Sequence, residues 1–152
     1  MFTNGLLKGK KALITGGGTG LGKSIGRRYL ELGAELAICG RRLDVLEATA
    51  EELRRETNGH VSVHSCDVRD AAAVDRMLEA IWQDGPLDIL VNNAAGNFIA
   101  RTEQLSPRAF DAVVGIVLHG AANCTLGVGR RWIAAGRRGT VLSISTTTAF
   151  TG

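Results

Sequence analysis

Residues 15–22 read Thr-Gly-Gly-Gly-Thr-Gly-Leu-Gly, and this stretch decides the fold. Before it stands KALIT (Lys11–Thr15), short, apolar and β-like. After it, Ile25, Tyr29 and Leu30 recur at helical spacing from Gly20 to about Leu32, and Gly33 supplies a stop. A glycine loop between a buried strand and a helix brings backbone N–H groups close to an anion, and the helix start adds positive potential. The general G-x-G-x-x-G fingerprint is out of register, because Gly16 and Gly18 would require glycine where Leu21 stands. The pattern that fits is T-G-x-x-x-G-x-G, carried by Thr15, Gly16, Gly20 and Gly22, with Thr19 and Leu21 inside the same loop. Gly22 is expected where helix and sheet pack closely. A tight turn without a ligand would use the same glycines; the flanking strand and helix favour a bound phosphate.

Outward from this loop, apolar runs alternate with helical patterns. ELAIC (Glu35–Cys39) reads as a second strand, and Leu43–Glu56 as a helix ended by TNG. VSVHS (Val61–Ser65) is a third strand. Asp70 is placed to cap a helix running to Asp84, and GPLDILVNN turns into a fourth strand. Ser106 and Pro107 open a long helix that continues to about Ala135. GTVLSIS (Gly139–Ser145) is a fifth strand. Strand and helix in strict alternation imply a parallel sheet covered on both faces. Right-handed crossovers give a doubly wound, Rossmann-like α/β fold of order 3-2-1-4-5 in one domain over residues 1–152. The long helix is apolar over a wide arc (Val113, Val114, Ile116, Val117, Leu118, Ala121, Leu126, Val128, Trp132), which predicts burial on a second side.

The second strand ends ICGRR. An NAD site places an acid there for the ribose 2′-hydroxyl; this chain has Gly40, then Arg41 and Arg42. Guanidinium groups suit a 2′-phosphate, so NADP(H) is the expected cofactor, although two solvated arginines at a helix start would look the same.

Composition narrows the classes. Of 152 residues, 45% are hydrophobic and 22% charged, ordinary for a globular chain, and the net charge is +3. That mild excess attracts phosphates without indicating nucleic acid, and aromatics at 5% leave no stacking platform for single strands. Cys39, Cys66 and Cys124 are scattered and form no C-x-x-C. His60 and His64 have helical metal spacing, but on a strand four residues span roughly 13 Å, too far for one zinc. No signal-peptide pattern opens the chain, so a cytoplasmic setting is expected. No apolar run is long enough to cross a membrane, and no membrane partner is expected.

Taken in order, TGGGTGLG, CDVRD (Cys66–Asp70) and LVNNAAG (Leu90–Gly96) resemble the short-chain dehydrogenase/reductase family. The resemblance implies that Asp67 and Val68 hold adenine, and that Asn93, Ala94, Ala95 and Gly96 line the ribose and nicotinamide side. More narrowly, NNAAGNFI, LSPRAFDAV and LSISTTT are similar to the 2,4-dienoyl-CoA reductases, which places Asn97 and Phe98 near an acyl chain. By the same likeness Thr146 corresponds to the family's serine after the fifth strand, Thr148 to the dienoyl reductases' tyrosine, and His119 to the family's asparagine in the long helix. His119 either carries a proton-relay water or simply packs. The arginines of GRRWIAAGRRG (Gly129–Gly139) could meet CoA phosphates, but a solvated helix end favoured by the helix dipole is the preferred reading.

The family's Tyr-x-x-x-Lys pair has no counterpart here: the one tyrosine is Tyr29, and the lysines are Lys8, Lys10, Lys11 and Lys23. The expectation is the N-terminal, cofactor-binding portion of an NADPH-dependent reductase for a dienoyl- or enoyl-CoA, inactive by itself and oligomeric at full length. A ketone or 3-oxoacyl reductase, and a nucleotide-binding module without turnover, remain open.

Overall fold

The computed structural model describes residues 3–97 and 100–146. Five parallel strands are laid down in the order β3-β2-β1-β4-β5: β1 (Lys11–Thr15), β2 (Glu35–Gly40), β3 (Val61–Ser65), β4 (Ile89–Asn92) and β5 (Thr140–Ser143). The crossovers are α1 (Gly20–Glu31), α2 (Leu43–Thr57), α3 (Ala71–Gln83), and the pair α4 (Pro107–Val114) and α5 (Ala121–Ala134). The expected strand order stands.

Period-two alternation on β1 and β2 sorts the core into two layers. Ala12, Ile14, Leu36 and Ile38 face α1 and α2, meeting Leu30, Leu46, Ala50 and Leu53. Leu13, Ala37, Cys39 and Leu90 face α3 and α5, meeting Val74, Leu78, Cys124 and Val128. Both faces of the central strands are therefore buried, as a parallel sheet requires. Helix starts follow the sequence: Asp70 accepts hydrogen bonds from the N–H groups of Ala72 and Ala73, and Ser106 from that of Ala109.

The end of the sheet where the strands begin is fastened by charge. Lys11 is buried, yet its Nζ donates to Asp84 Oδ2 at 2.9 Å and to the carbonyls of Asp84 (3.0 Å) and Ile81 (3.3 Å). The ammonium thus satisfies carbonyls left open at the end of α3. Asp88 accepts from Lys11 N, Lys10 Nζ and Arg137 Nη2, drawing together the starts of β1 and β4 and the approach to β5.

Three expectations change. The long helix is not uniform: between α4 and α5 the chain makes a π-helical stretch, Gly115–Gly120. The extra residue per turn rotates α5 relative to α4, so the predicted arc divides. Val128 and Trp132 are buried, while Val117, Leu118 and Leu126 are exposed. The fifth strand is shorter than GTVLSIS: its paired register with β4 runs from Thr140 to Ser143, and Gly139 before it packs bare against the Trp132 ring, where a Cβ would collide. Finally, the run Pro107–Ala134 is continuous over 28 residues and, by length and composition alone, is apolar enough to cross a bilayer. The sequence reading missed this because His119 and Asn123 interrupt its apolar runs. Here the helix lies against the sheet through Cys124, Val128 and Trp132.

Candidate functional site

The carboxyl ends of β1, β2 and β4 open around a cavity of about 340 Å³. In open α/β sheets this is where ligands bind, at the point where strand order reverses. Here that point lies between β1 and β4, after the chain has passed outward through β2 and β3.

The glycine loop forms its floor. Gly16 (φ +67°) and Gly20 (φ +53°) take left-handed conformations that side chains disfavour. A Cβ at Gly22 would sit 2.4 Å from Gly16 O and 2.6 Å from Asn93 Nδ2, so α1 approaches the loop only because Gly22 is bare. Thr19, at the N-cap of α1, makes no side-chain capping bond. The first-turn N–H groups are thereby left for an anion.

Thr15 joins this loop to the next wall. Its Oγ1 accepts from Asn93 N at 3.0 Å and Ala94 N at 2.9 Å, while Asn93 Nδ2 donates to Thr15 O (2.9 Å) and Gly16 O (3.2 Å). Replacing Thr15 by valine keeps the shape and strips two N–H groups of their acceptor. The expected loss is ~2–4 kcal/mol in urea unfolding, with weaker nucleotide binding. An unchanged midpoint for Thr15→Val would show that the bridge is incidental.

At the far end stand Gly40, Arg41 and Arg42, both arginines exposed. A Cβ at Gly40 would meet nothing closer than Leu46 at 3.7 Å, so an acid would fit there and is simply not supplied. Asp67 faces the same end. Arg69 grips its carboxylate through Nε (3.0 Å to each oxygen) and Nη2 (2.6 Å), and Arg69 N adds a fourth bond at 3.1 Å. The guanidinium beside it holds the Asp67 carboxyl below the usual carboxylate range, with Arg41 adding a smaller pull. Asp67 is thus an ionised acceptor fixed in direction.

The predicted cofactor residues Gly16, Thr19, Gly20, Leu21, Arg41, Arg42, Asp67, Val68, Asn93, Ala94 and Ala95 all line the cavity. Gly22 and Gly96 lie behind it: Gly22 under the loop, and Gly96 where a Cβ would fall 2.9 Å from Ile116 Cδ1. Asn97 is exposed outside the lining, as are His119 on the π-helical stretch and Thr146 just past β5. Phe98 and Thr148 fall outside the described residues. The structure does not gather His119 and Thr146 with the cavity.

Sequence reasoning missed Cys39, Cys66, Val45, Leu46 and Ile116 in the lining. It also missed Thr49, whose Oγ1 donates to Gly18 O at 2.6 Å and ties the glycine loop to α2. Burial pushes the Cys66 thiol up to about 11 and Cys39 well above its ordinary value, so both present neutral S–H groups. Among the described residues, no group of three His, Cys, Asp or Glu side chains is arranged to hold a metal ion.

The family model for short chain dehydrogenases matches residues 10–152. The chain belongs to the short chain dehydrogenase family. Within this family it is 49% identical to an uncharacterized oxidoreductase of Caenorhabditis elegans, covering 97% of this chain and 48% of that protein. It is 45% identical to a probable 2,4-dienoyl-CoA reductase of the same organism, covering 100% of this chain and 50% of that one. A metagenomic short-chain oxidoreductase solved with NADP superimposes with a TM-score of 0.84 at 28% identity, covering 92% of this chain and 63% of that one. This short chain dehydrogenase spans about half the length of the curated relatives it matches.

Proposed function

We propose that this short chain dehydrogenase chain binds NADPH in the cavity above β1 and β4, as the cofactor half of a reductase for a 2,4-dienoyl-CoA or related enoyl-CoA. The observation that carries the cofactor is the end of β2. Gly40 leaves room there without supplying an acid, and two exposed arginines follow at the rim. The likeness to a protein named as a dienoyl-CoA reductase supports the substrate class.

The residues present fit such a nucleotide from end to end. Gly16 and Gly20 admit a pyrophosphate to the start of α1. Asp67, held by Arg69, accepts from an adenine amino group while Val68 packs against the ring. Arg41 and Arg42 meet the 2′-phosphate. Asn93 to Gly96 line the path toward the nicotinamide. When bound, the reduced nicotinamide supplies a hydride. Thr146 would polarise the substrate beyond the described cavity, and Asn97 and Phe98 would border the acyl chain. The balancing proton requires a donor more acidic than a threonine hydroxyl. Tyr29 lies in α1 and Lys11 is engaged at the opposite end of the sheet, so neither serves.

The test is a pair of titrations. Arg41→Ala with Arg42→Ala is expected to weaken NADPH by ~1–3 kcal/mol, the scale of lost charge-assisted bonds, and to leave NADH nearly unchanged. Identical curves for the two nucleotides in the unaltered chain would reject the NADP assignment.

A further inference from the structure

The cavity wall that faces adenine is a short irregular segment, Cys66–Arg69, lying between β3 and the cap of α3. Irregular backbone of this kind keeps a shape only when something outside it supplies partners. Within or beside it, Cys66 N donates to Gly40 O, Asp70 N to Asp67 O, and Arg69 closes onto the Asp67 carboxylate. The Val68 and Arg69 carbonyls are met from the long helix.

Three positions of that helix meet the segment. At Gly115 a Cβ would lie 3.4 Å from Arg69 Cδ, so the arginine stem passes over bare backbone. At Gly120 a Cβ would lie 2.5 Å from Val68 Cγ2, a closer approach than any side chain permits. One turn on, Asn123 Nδ2 donates to Val68 O at 3.0 Å and reaches Arg69 O at 3.4 Å. Gly115 and Gly120 bound the π-helical stretch, and Asn123 lies in the first turn of α5. In an unbroken α-helix the eight residues from 115 to 123 would leave the two ends about 80° apart around the axis; the wider turn rotates less per residue and brings these positions toward one segment. The same stretch turns Ile116 into the cavity.

We infer that Asn123 is a positioning residue for the nucleotide. From α5 it holds the Val68 and Arg69 carbonyls, and so fixes the direction in which Asp67 and Val68 are offered to adenine. Nothing about Asn123 touches the cavity itself, which is why it acts only through the segment. Gly120 is its steric counterpart, giving Val68 its place. The inference rests on the reading that a dinucleotide occupies this cavity.

Two probes separate the possibilities, adenosine 2′,5′-bisphosphate and NADPH, titrated calorimetrically into the purified chain and its variants. Asn123→Leu keeps the branched shape of the side chain and removes the donor. It is expected to weaken both probes by the same factor, about tenfold, because the whole loss falls on the adenosine half, with hydrogen exchange rising at residues 66–69 and not in β1 or β2. Equal affinity in Asn123→Leu and the unaltered chain would overturn the inference. So would a loss confined to NADPH, or exchange that rises throughout the sheet. A cycle gives an independent reading. Gly120→Ala is expected to weaken adenosine 2′,5′-bisphosphate severalfold, but to have little further effect once Val68→Ala has removed the methyl it strikes. Additive losses would count against it. Failure of the unaltered chain to bind either probe would reject the nucleotide reading itself, and the inference with it.

Discussion

Gly22→Ala is expected to abolish measurable NADPH binding and to lower stability by ~1–3 kcal/mol, the range for forcing extra volume into a packed site. The added methyl would arrive 2.4 Å from Gly16 O and 2.6 Å from Asn93 Nδ2. Neither neighbour can step aside. Gly16 is backbone, its N–H bonded to Cys39 O at 2.8 Å, and the Asn93 amide is already engaged by Thr15 O and Gly16 O. Relief requires α1 to lift from the loop, which removes the helix start from the place a pyrophosphate would occupy. The contrast is Gly129→Ala, in α5, where nothing lies within 4 Å. There the same methyl should stabilise by ~0.5–1 kcal/mol, since alanine favours helix. Urea midpoints and NADPH fluorescence titrations of the two variants decide the matter; a Gly22→Ala chain that melts and binds like the parent would mean the loop is slack.

A chain that self-associates is the second expected result. β5 pairs with β4 along one edge only, and its Val141 and Leu142 are 41% and 42% exposed. Beyond it, Leu118, Leu126 and Ile133 stand out from the helix, Ile133 at 82%. An open edge lined by uncharged β-formers is a template for pairing, and apolar side chains in such number exceed what monomers commonly leave bare. At ~2 kcal/mol for each full burial, covering three of them by half returns ~3 kcal/mol, which alone supports association only in the millimolar range, so pairing of the β5 edges must add to it for association at lower concentration. Sedimentation velocity should show mass rising with concentration, and Val141→Lys with Leu118→Lys should shift the distribution toward monomer by about tenfold in concentration. A compact monomer with one sharp melt and no dye binding to apolar surface would refute this.

Most of the architecture was legible because its causes are local. Glycine at 16, 20 and 22, apolar runs of five residues, and caps at Asp70 and Ser106 each act over a few neighbours, and they agree with one another. Strand order came from handedness. The π-helical stretch was not legible: GIVLHG continues a helical pattern without proline, and the residues it packs against, Val68 and Arg69, stand some fifty residues away. The same distance hid Asn123 and Thr49, ordinary polar residues on helices whose partners are carbonyls of remote loops. Arg69 stood in view inside CDVRD, but a guanidinium two residues from a carboxylate reads as surface charge until the fold curls one onto the other. Arg41 and Arg42 were legible for the opposite reason, since the end of β2 is a fixed address in this topology.

The unequal burial across the sheet has a kinetic face. β1 and β2 have both neighbours and both covers, while β5 has one neighbour and an exposed flank. Opening such a sheet need not be all or none. β5 can peel from β4 at the cost of its own few ladder bonds, while the Leu13 and Ile38 amides wait for the whole chain to unfold. The glycine loop grows from the slow side of that gradient and Thr146 from the fast side. A ligand spanning both would therefore find one end already rigid and would itself quiet the other, so that part of its binding energy goes into ordering the edge.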